Sequence, residues 1–258
     1  MNRKENYIAV YDSGVGGISV LRHLIEKMPN ERFLYFGDSA NAPYGSKSAE
    51  QVRDLAMAAA ERLMAEGIKA LVVACNTASA AALSQLRQTY PELIIVGIEP
   101  AVKLAARKFP GGKIGVLATQ VTLREEKFRL LALSCAEDCQ VISLPAPGLA
   151  ALVEQGKANS PEAKALLSPI LEPVKDSMNA LVLGCTHYPF AAQTIREILG
   201  QEMPLLDGGE GTAREAYRRL KEADLLFDGP GELRWENSLN EQRIRDLSQM
   251  LLESELDL

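Results

Sequence analysis

The chain has 258 residues, 47% apolar and 24% charged, the balance of a globular protein with one large domain or two of ordinary size. A net charge of −6, with no cluster of Lys and Arg, argues against a nucleic-acid surface. The opening Met-Asn-Arg-Lys-Glu leads straight into a short strand and no apolar run approaches a membrane span, so no export signal and no membrane association are expected, and a cytoplasmic location is.

A first apolar strand over 7–11 runs into Asp12-Ser13-Gly14-Val15-Gly16-Gly17, and a helix is expected over 18–27. The glycine-rich turn is not a dinucleotide fingerprint, because the third glycine of that pattern would fall at Ser19, and it lacks the Lys and Ser/Thr of a P-loop. It reads as a tight turn with backbone N–H groups at a helix start, a general anion site. The alternative is that Asp12 and Ser13 are simply caps. A strand over 32–36 precedes a loop, 37–47, that is long for a βα connection and rich in Gly, Pro and Asn. Such loops are often functional, and this one is expected to move when a ligand binds. Ser48 and Gln51 form a capping box for a long helix ending before Gly67. Next come the apolar strand Ala70-Leu71-Val72-Val73-Ala74, then Cys75-Asn76-Thr77, an Ala-rich helix, and a strand over 93–97.

Glu99-Pro100 is expected to begin a helix, and Gly111-Gly112 separates it from a strand over 113–119. Thr122 with Glu125 reads as a second capping box. A strand over 139–143, a short helix containing Glu154, and a helix starting at Ser160-Pro161 lead to Ala180-Leu181-Val182-Leu183-Gly184. That strand ends in Cys185-Thr186-His187-Tyr188-Pro189, with Pro189 suited to a first helical turn. A short strand at 204–207, a turn at Gly208-Gly209, a helix to about 220, a strand-like piece around Trp235 and an amphipathic helix complete the chain. The tail is expected to pack on the first half.

The plan of apolar strand, small residue, cysteine, polar pair and helix therefore occurs twice, at Cys75 and at Cys185. Such an internal repeat predicts an α/β protein of two pseudo-symmetric open-sheet domains with the active site in the cleft between them. Their expected extents are 1–98 plus 208–258 for the Cys75 half and 99–207 for the Cys185 half. Each thiol sits where ligands bind in open α/β sheets, and two thiols facing one cleft supply an acid and a base on opposite sides of a ligand. A thiol suits both roles because its ordinary pKa of about 8.5 lies near working pH. Only the thiolate abstracts a proton, so each needs help from an imidazolium or a helix start, and both cysteines directly precede an expected helix start. His187 follows one and Asn76 the other, so the two should behave differently. Cys135 and Cys139, four apart, lack a second pair or a nearby His and do not read as a metal site.

Four motifs, Asp12 to Gly17, Pro43-Tyr44-Gly45, Cys75-Asn76-Thr77-Ala78 and Gly184 to Pro189, resemble those of bacterial glutamate racemase in order and spacing. The resemblance covers residues 7 to about 213. It implies interconversion of L- and D-glutamate without a cofactor, supplying D-glutamate for peptidoglycan. It also implies that Cys75 and Cys185 are the catalytic acid/base pair, with Asp12 and His187 beside them. By the same resemblance Asp12, Ser13, Pro43, Tyr44, Gly45, Asn76, Thr77, Thr186, His187 and Glu154 line the substrate site, Glu154 in the least distinctive context. No lysine stands among these motifs and metal-ligand spacing is absent, so neither pyridoxal phosphate nor a metal is expected, and a homodimer is the expected assembly. Gly208 departs from the family pattern, which has Ser after the Asp, and the segment 225–258 looks unlike the usual tail. Three alternatives stand beside this reading: an aspartate or hydantoin racemase of the same superfamily, a Cys185–His187 hydrolase, and a non-catalytic amino-acid-binding protein. Two residues apart on one turn is poor geometry for the hydrolase pair.

Overall fold

A computed structural model describes residues 3–256 and 258. The first half runs β1 (Ile8–Asp12), α1 (Ile18–Lys27), β2 (Arg32–Gly37), α2 (Ala49–Ala65), β3 (Ala70–Val73), α3 (Asn76–Thr89) and β4 (Ile94–Gly97). The second runs α4 (Val102–Lys108), β5 (Lys113–Ala118), α5 (Gln120–Arg124), α6 (Glu126–Leu133), β6 (Gln140–Pro145), α7 (Leu149–Glu154), α8 (Pro161–Leu171), β7 (Ala180–Leu183), α9 (Ala192–Leu199) and β8 (Leu205–Leu206). The chain then returns through α10 (Gly209–Glu222), β9 (Glu232–Asn237) and α11 (Gln242–Glu253).

Two parallel sheets result, ordered β4-β3-β1-β2-β9 and β6-β5-β7-β8. The order β4-β3-β1-β2 is repeated by β8-β7-β5-β6, so β1 corresponds to β5 and β3 to β7. Strands covered on both faces need continuous apolar sequence, and Ile8, Ala9, Val10 and Tyr11 of β1 are all fully buried. From β1 the chain passes to β2 on one side and to β3 on the other, and β5 repeats this with β6 and β7. Such a reversal opens a crevice at the carboxyl ends of the two strands. Cys75 follows β3 and Cys185 follows β7, so each thiol stands at the equivalent crevice of its sheet.

The tail completes the first sheet. β9 pairs in parallel with β2, Phe36 opposite Glu236 and Gly37 opposite Asn237. A buried ion pair anchors its entry: Lys69 Nζ lies 2.7 Å from Glu31 Oε2, and Glu31 Oε1 accepts the Phe227 N–H at 2.8 Å.

The Ser48–Gln51 capping box forms with both reciprocal hydrogen bonds. The Thr122–Glu125 box does not. Thr119 leaves β5 in extended conformation, so its hydroxyl reaches the Thr122 N–H first and caps α5, while Glu125 begins α6 without a side-chain cap. Glu99-Pro100 precedes α4 by a turn, the helix starting at Val102. The 37–47 loop contains two short 3₁₀ turns, Ser39–Asn41 and Tyr44–Ser46, and buries the Tyr44 ring.

Candidate active site

The turn from Asp12 to Gly17 touches the surroundings of both thiols, Ser13 beside Cys75 and Gly16 against His187, and is shaped by what approaches it. Asp12 is fully buried at the end of β1. Its Oδ1 accepts the Gly14 N–H at 2.9 Å, and its Oδ2 accepts the Thr186 hydroxyl from the other half at 2.9 Å. Ser19 donates to the Thr186 carbonyl at 3.0 Å. The glycines are required by close approach: a β-carbon on Gly14 would fall 1.9 Å from Glu154 Oε1, and one on Gly16 would fall 2.2 Å from His187 Nδ1.

Cys75 is the N-cap of α3, its sulfur accepting the Ala78 N–H at 3.4 Å, with Ser13 Oγ 3.5 Å away. Burial pushes its thiol up to about 12 and the Asp12 carboxylate adds to this, outweighing the Ser13 hydroxyl and Ala78 N–H. Cys75 therefore rests as a neutral thiol.

The surroundings of Cys185 differ. Its Sγ lies 3.8 Å from His187 Nδ1, while His187 Nε2 lies 2.6 Å from Glu154 Oε1. Glu154 also accepts the Val15 N–H at 2.7 Å and the Ser39 hydroxyl at 3.3 Å. Burial disfavours the imidazolium, but Cys185 and Glu154 overcome it and hold His187 well above the usual imidazole range. Burial likewise pushes the Glu154 carboxyl up, but His187, the Val15 N–H and Ser39 bring it below the usual range. Asp12 is raised by burial, with His187, Thr186 and the Gly14 N–H opposing. One thiol thus stands beside an imidazolium–carboxylate pair and the other, equally buried, beside the Asp12 carboxyl.

Cys185 does not directly precede a helix, contrary to the sequence reading. The chain turns back after it, Tyr188 N–H bonding the Cys185 carbonyl at 3.0 Å, and a 3₁₀ segment, Tyr188–Ala191, precedes α9. That turn brings the imidazole onto the sulfur, so the spacing of two is good geometry for the pair and not poor.

The remaining expected residues fall around this centre. Asn76 is buried, and both polar atoms of its amide lack a partner. Thr77 Oγ1 lies 3.1 Å from Thr119 Oγ1 and 3.4 Å from Thr122 Oγ1, across the cleft. Tyr44 spends its hydroxyl on Tyr11 at 2.6 Å and Asp38 at 2.7 Å, so the Pro43–Gly45 segment can offer a ligand only backbone and ring edges. Gly45 abuts Thr119, whose methyl would lie 2.8 Å from an added β-carbon. A cavity of ≈ 230 Å³ opens beside Asn76, with Pro100, Thr122 and Phe128 in its wall. Among the described residues, no group of three or more His, Cys, Asp or Glu could hold a metal ion. Thr119 and Ser39 escaped the sequence reading, although Thr119 stands at the crevice end of β5, where the switch-point rule places ligand contacts.

Two equivalent parallel-sheet halves, each presenting a buried thiol at the same strand end, are the architecture that a two-base isomerase requires. The profile of the family described as Asp/Glu/Hydantoin racemase matches residues 17–216. A curated glutamate racemase of Clostridium perfringens is 44% identical over 249 residues, covering 95% of this chain and 96% of that protein. Among solved structures, glutamate racemase from Francisella tularensis in complex with D-glutamate aligns with TM-score 0.85 at 28% identity, over 98% of this chain and 95% of the other. Isoform RacE1 from Bacillus anthracis aligns with TM-score 0.87 at 31% identity, over 98% and 96%. The chain belongs to the Asp/Glu/hydantoin racemase family and is an amino-acid racemase.

Proposed function

We propose that this protein interconverts L- and D-glutamate by proton transfer at Cα, Cys185 serving the L-face and Cys75 the D-face. The observation that carries the reading is the placement of one buried thiol after β3 and one after β7, with Asp12 hydrogen-bonded from both halves. The difference between the two surroundings supports the direction. His187, held charged by Glu154, stands ready to stabilise a Cys185 thiolate, while Cys75 rests protonated as the acid. From L-glutamate, Cys185 removes the α-proton and Cys75 delivers its own to the opposite face. In reverse, the substrate ammonium beside Asp12 offsets the negative charge that raises Cys75. The unpartnered Asn76 amide and the hydroxyls of Ser13 and Thr77 supply hydrogen bonds for the carboxylates, while Thr186 spends its hydroxyl proton on Asp12. The relatives act on glutamate by name, which favours it over aspartate or a hydantoin. The close Cys185–His187 pair removes the geometric objection to a hydrolase, and family membership weighs against one. A free amino acid feeding peptidoglycan assembly suits a cytoplasmic enzyme; among the described residues, no helix is long and apolar enough to cross a membrane.

Circular dichroism tests the reading. Added D-glutamate should lose its ellipticity over time as L-glutamate accumulates, and Cys75→Ser and Cys185→Ser should each abolish this while still binding glutamate. Racemisation of aspartate in preference to glutamate would overturn the substrate assignment.

A further inference from the structure

The C-terminal strand reaches the Cys185 side of the cleft. Asn237 ends β9 opposite Gly37, beyond the residues matched by the family profile. Its Oδ1 accepts the Leu239 N–H at 2.8 Å, which orients the amide and turns the nitrogen toward Ser39. Nδ2 donates to Ser39 Oγ at 3.0 Å, and Ser39 donates to Glu154 Oε2 at 3.3 Å. Gly37 leaves the room: a β-carbon there would fall 2.7 Å from Asn237 Nδ2 and 2.5 Å from the Gly14 carbonyl oxygen.

The direction of this chain is set by chemistry. An amide nitrogen can only donate, so it occupies a lone pair of the Ser39 oxygen and leaves the single hydroxyl proton for the carboxylate. Glu154 Oε1 is already taken by the Val15 N–H and His187 Nε2. Its second oxygen would otherwise be free to rotate the carboxylate off the imidazole. We infer that Asn237 and Ser39 are positioning residues, which lock Glu154 through its second oxygen and so hold His187 against Cys185. The inference rests on the proposed role of Cys185, but the contact it concerns can be read without turnover.

The chain contains two histidines, His23 and His187, so the imidazole resonances of the histidine-labelled protein are few and His23 is an internal reference. Two near-isosteric variants separate the links. Asn237→Asp keeps the acceptor for Leu239 but removes the donor to Ser39, and Ser39→Ala removes the donor to Glu154. Each should move the His187 resonances and their titration while leaving those of His23 in place. Ser39→Ala should also lower kcat about tenfold, the worth of a hydrogen bond to a charged group, and Asn237→Asp by no more than that, with glutamate affinity little changed. Because the two act in series, the double variant should fall no further than Ser39→Ala alone. Unmoved His187 resonances in both single variants, or losses that add in the double variant, would overturn the proposal. A wild-type protein that fails to racemise glutamate would sink the proposed function, while the resonance shifts would still decide the role of Asn237.

Discussion

Gly16 and His187 are held so close that the glycine leaves no space for a β-carbon beside Nδ1. The two residues come from different halves of the chain, so this contact sets how far the turn after β1 can approach Cys185. Gly16→Ala should push the imidazole off the sulfur. A displacement of about 1 Å at a reacting group costs on the order of a hundredfold in rate. Steady-state kinetics should show that loss mainly in kcat, and an unchanged kcat would mean the imidazole is not needed beside Cys185.

Asn76 offers two buried polar atoms with no partner in the protein. Such groups destabilise the free protein and are satisfied by a ligand. Asn76→Leu, similar in shape, should leave the thermal midpoint equal or raised while weakening glutamate binding about tenfold. Calorimetry of unfolding and glutamate titration together check this, and tighter binding in the variant would contradict it.

The His187–Glu154 pair makes stability depend on pH in a defined window. Glu154 is lowered from 4.5, so its contribution is present above 4.5 and lost as pH falls through the folded value. His187 is raised well above 6.5, so its contribution is complete below 6.5 and lost as pH rises through its folded value. Denaturant unfolding should therefore show the largest gap between wild type and Glu154→Gln between pH 4.5 and 6.5. A gap independent of pH would mean the pair is not ionised.

Lys69 and Glu31 are both buried at the opposite end of the first sheet from the thiols. Lys69→Met strands the Glu31 carboxylate, and breaking a buried pair costs about 3–5 kcal/mol. Chemical denaturation should show that loss, and the folded fraction should keep its kcat. A variant as stable as wild type would show that Glu31 is satisfied by the Phe227 and Arg32 N–H groups.

The parallel strands were legible because burial on both faces demands unbroken apolar runs such as Ala70 to Ala74. The repeat of Cys75 and Cys185 was legible because equivalent strand ends recur in sequence. What approaches the glycines was not, since Glu154 and His187 reach Gly14 and Gly16 only through tertiary packing. The cap of α5 was misassigned because Thr119 and Thr122 both suit the role and only the exit angle of β5 decides. Pro189 correctly marked a helical start, but a 3₁₀ turn rather than α9 itself, which moved Cys185 away from a helix N-terminus and under an imidazole. Asn237 carried no signal, because its partner Ser39 is close only through the β2–β9 pairing.

The central claim is that two thiols serve opposite faces of one carbon. It is tested by following L-glutamate in deuterated water during the first turnovers. Each thiol carries one exchangeable hydrogen, so Cys185 removes protium from the substrate while Cys75 delivers deuterium to the other face. The account predicts that newly formed D-glutamate carries deuterium at Cα while recovered L-glutamate remains largely protiated. D-glutamate that retains the substrate's own α-hydrogen would mean a single base serves both faces, and would contradict the account.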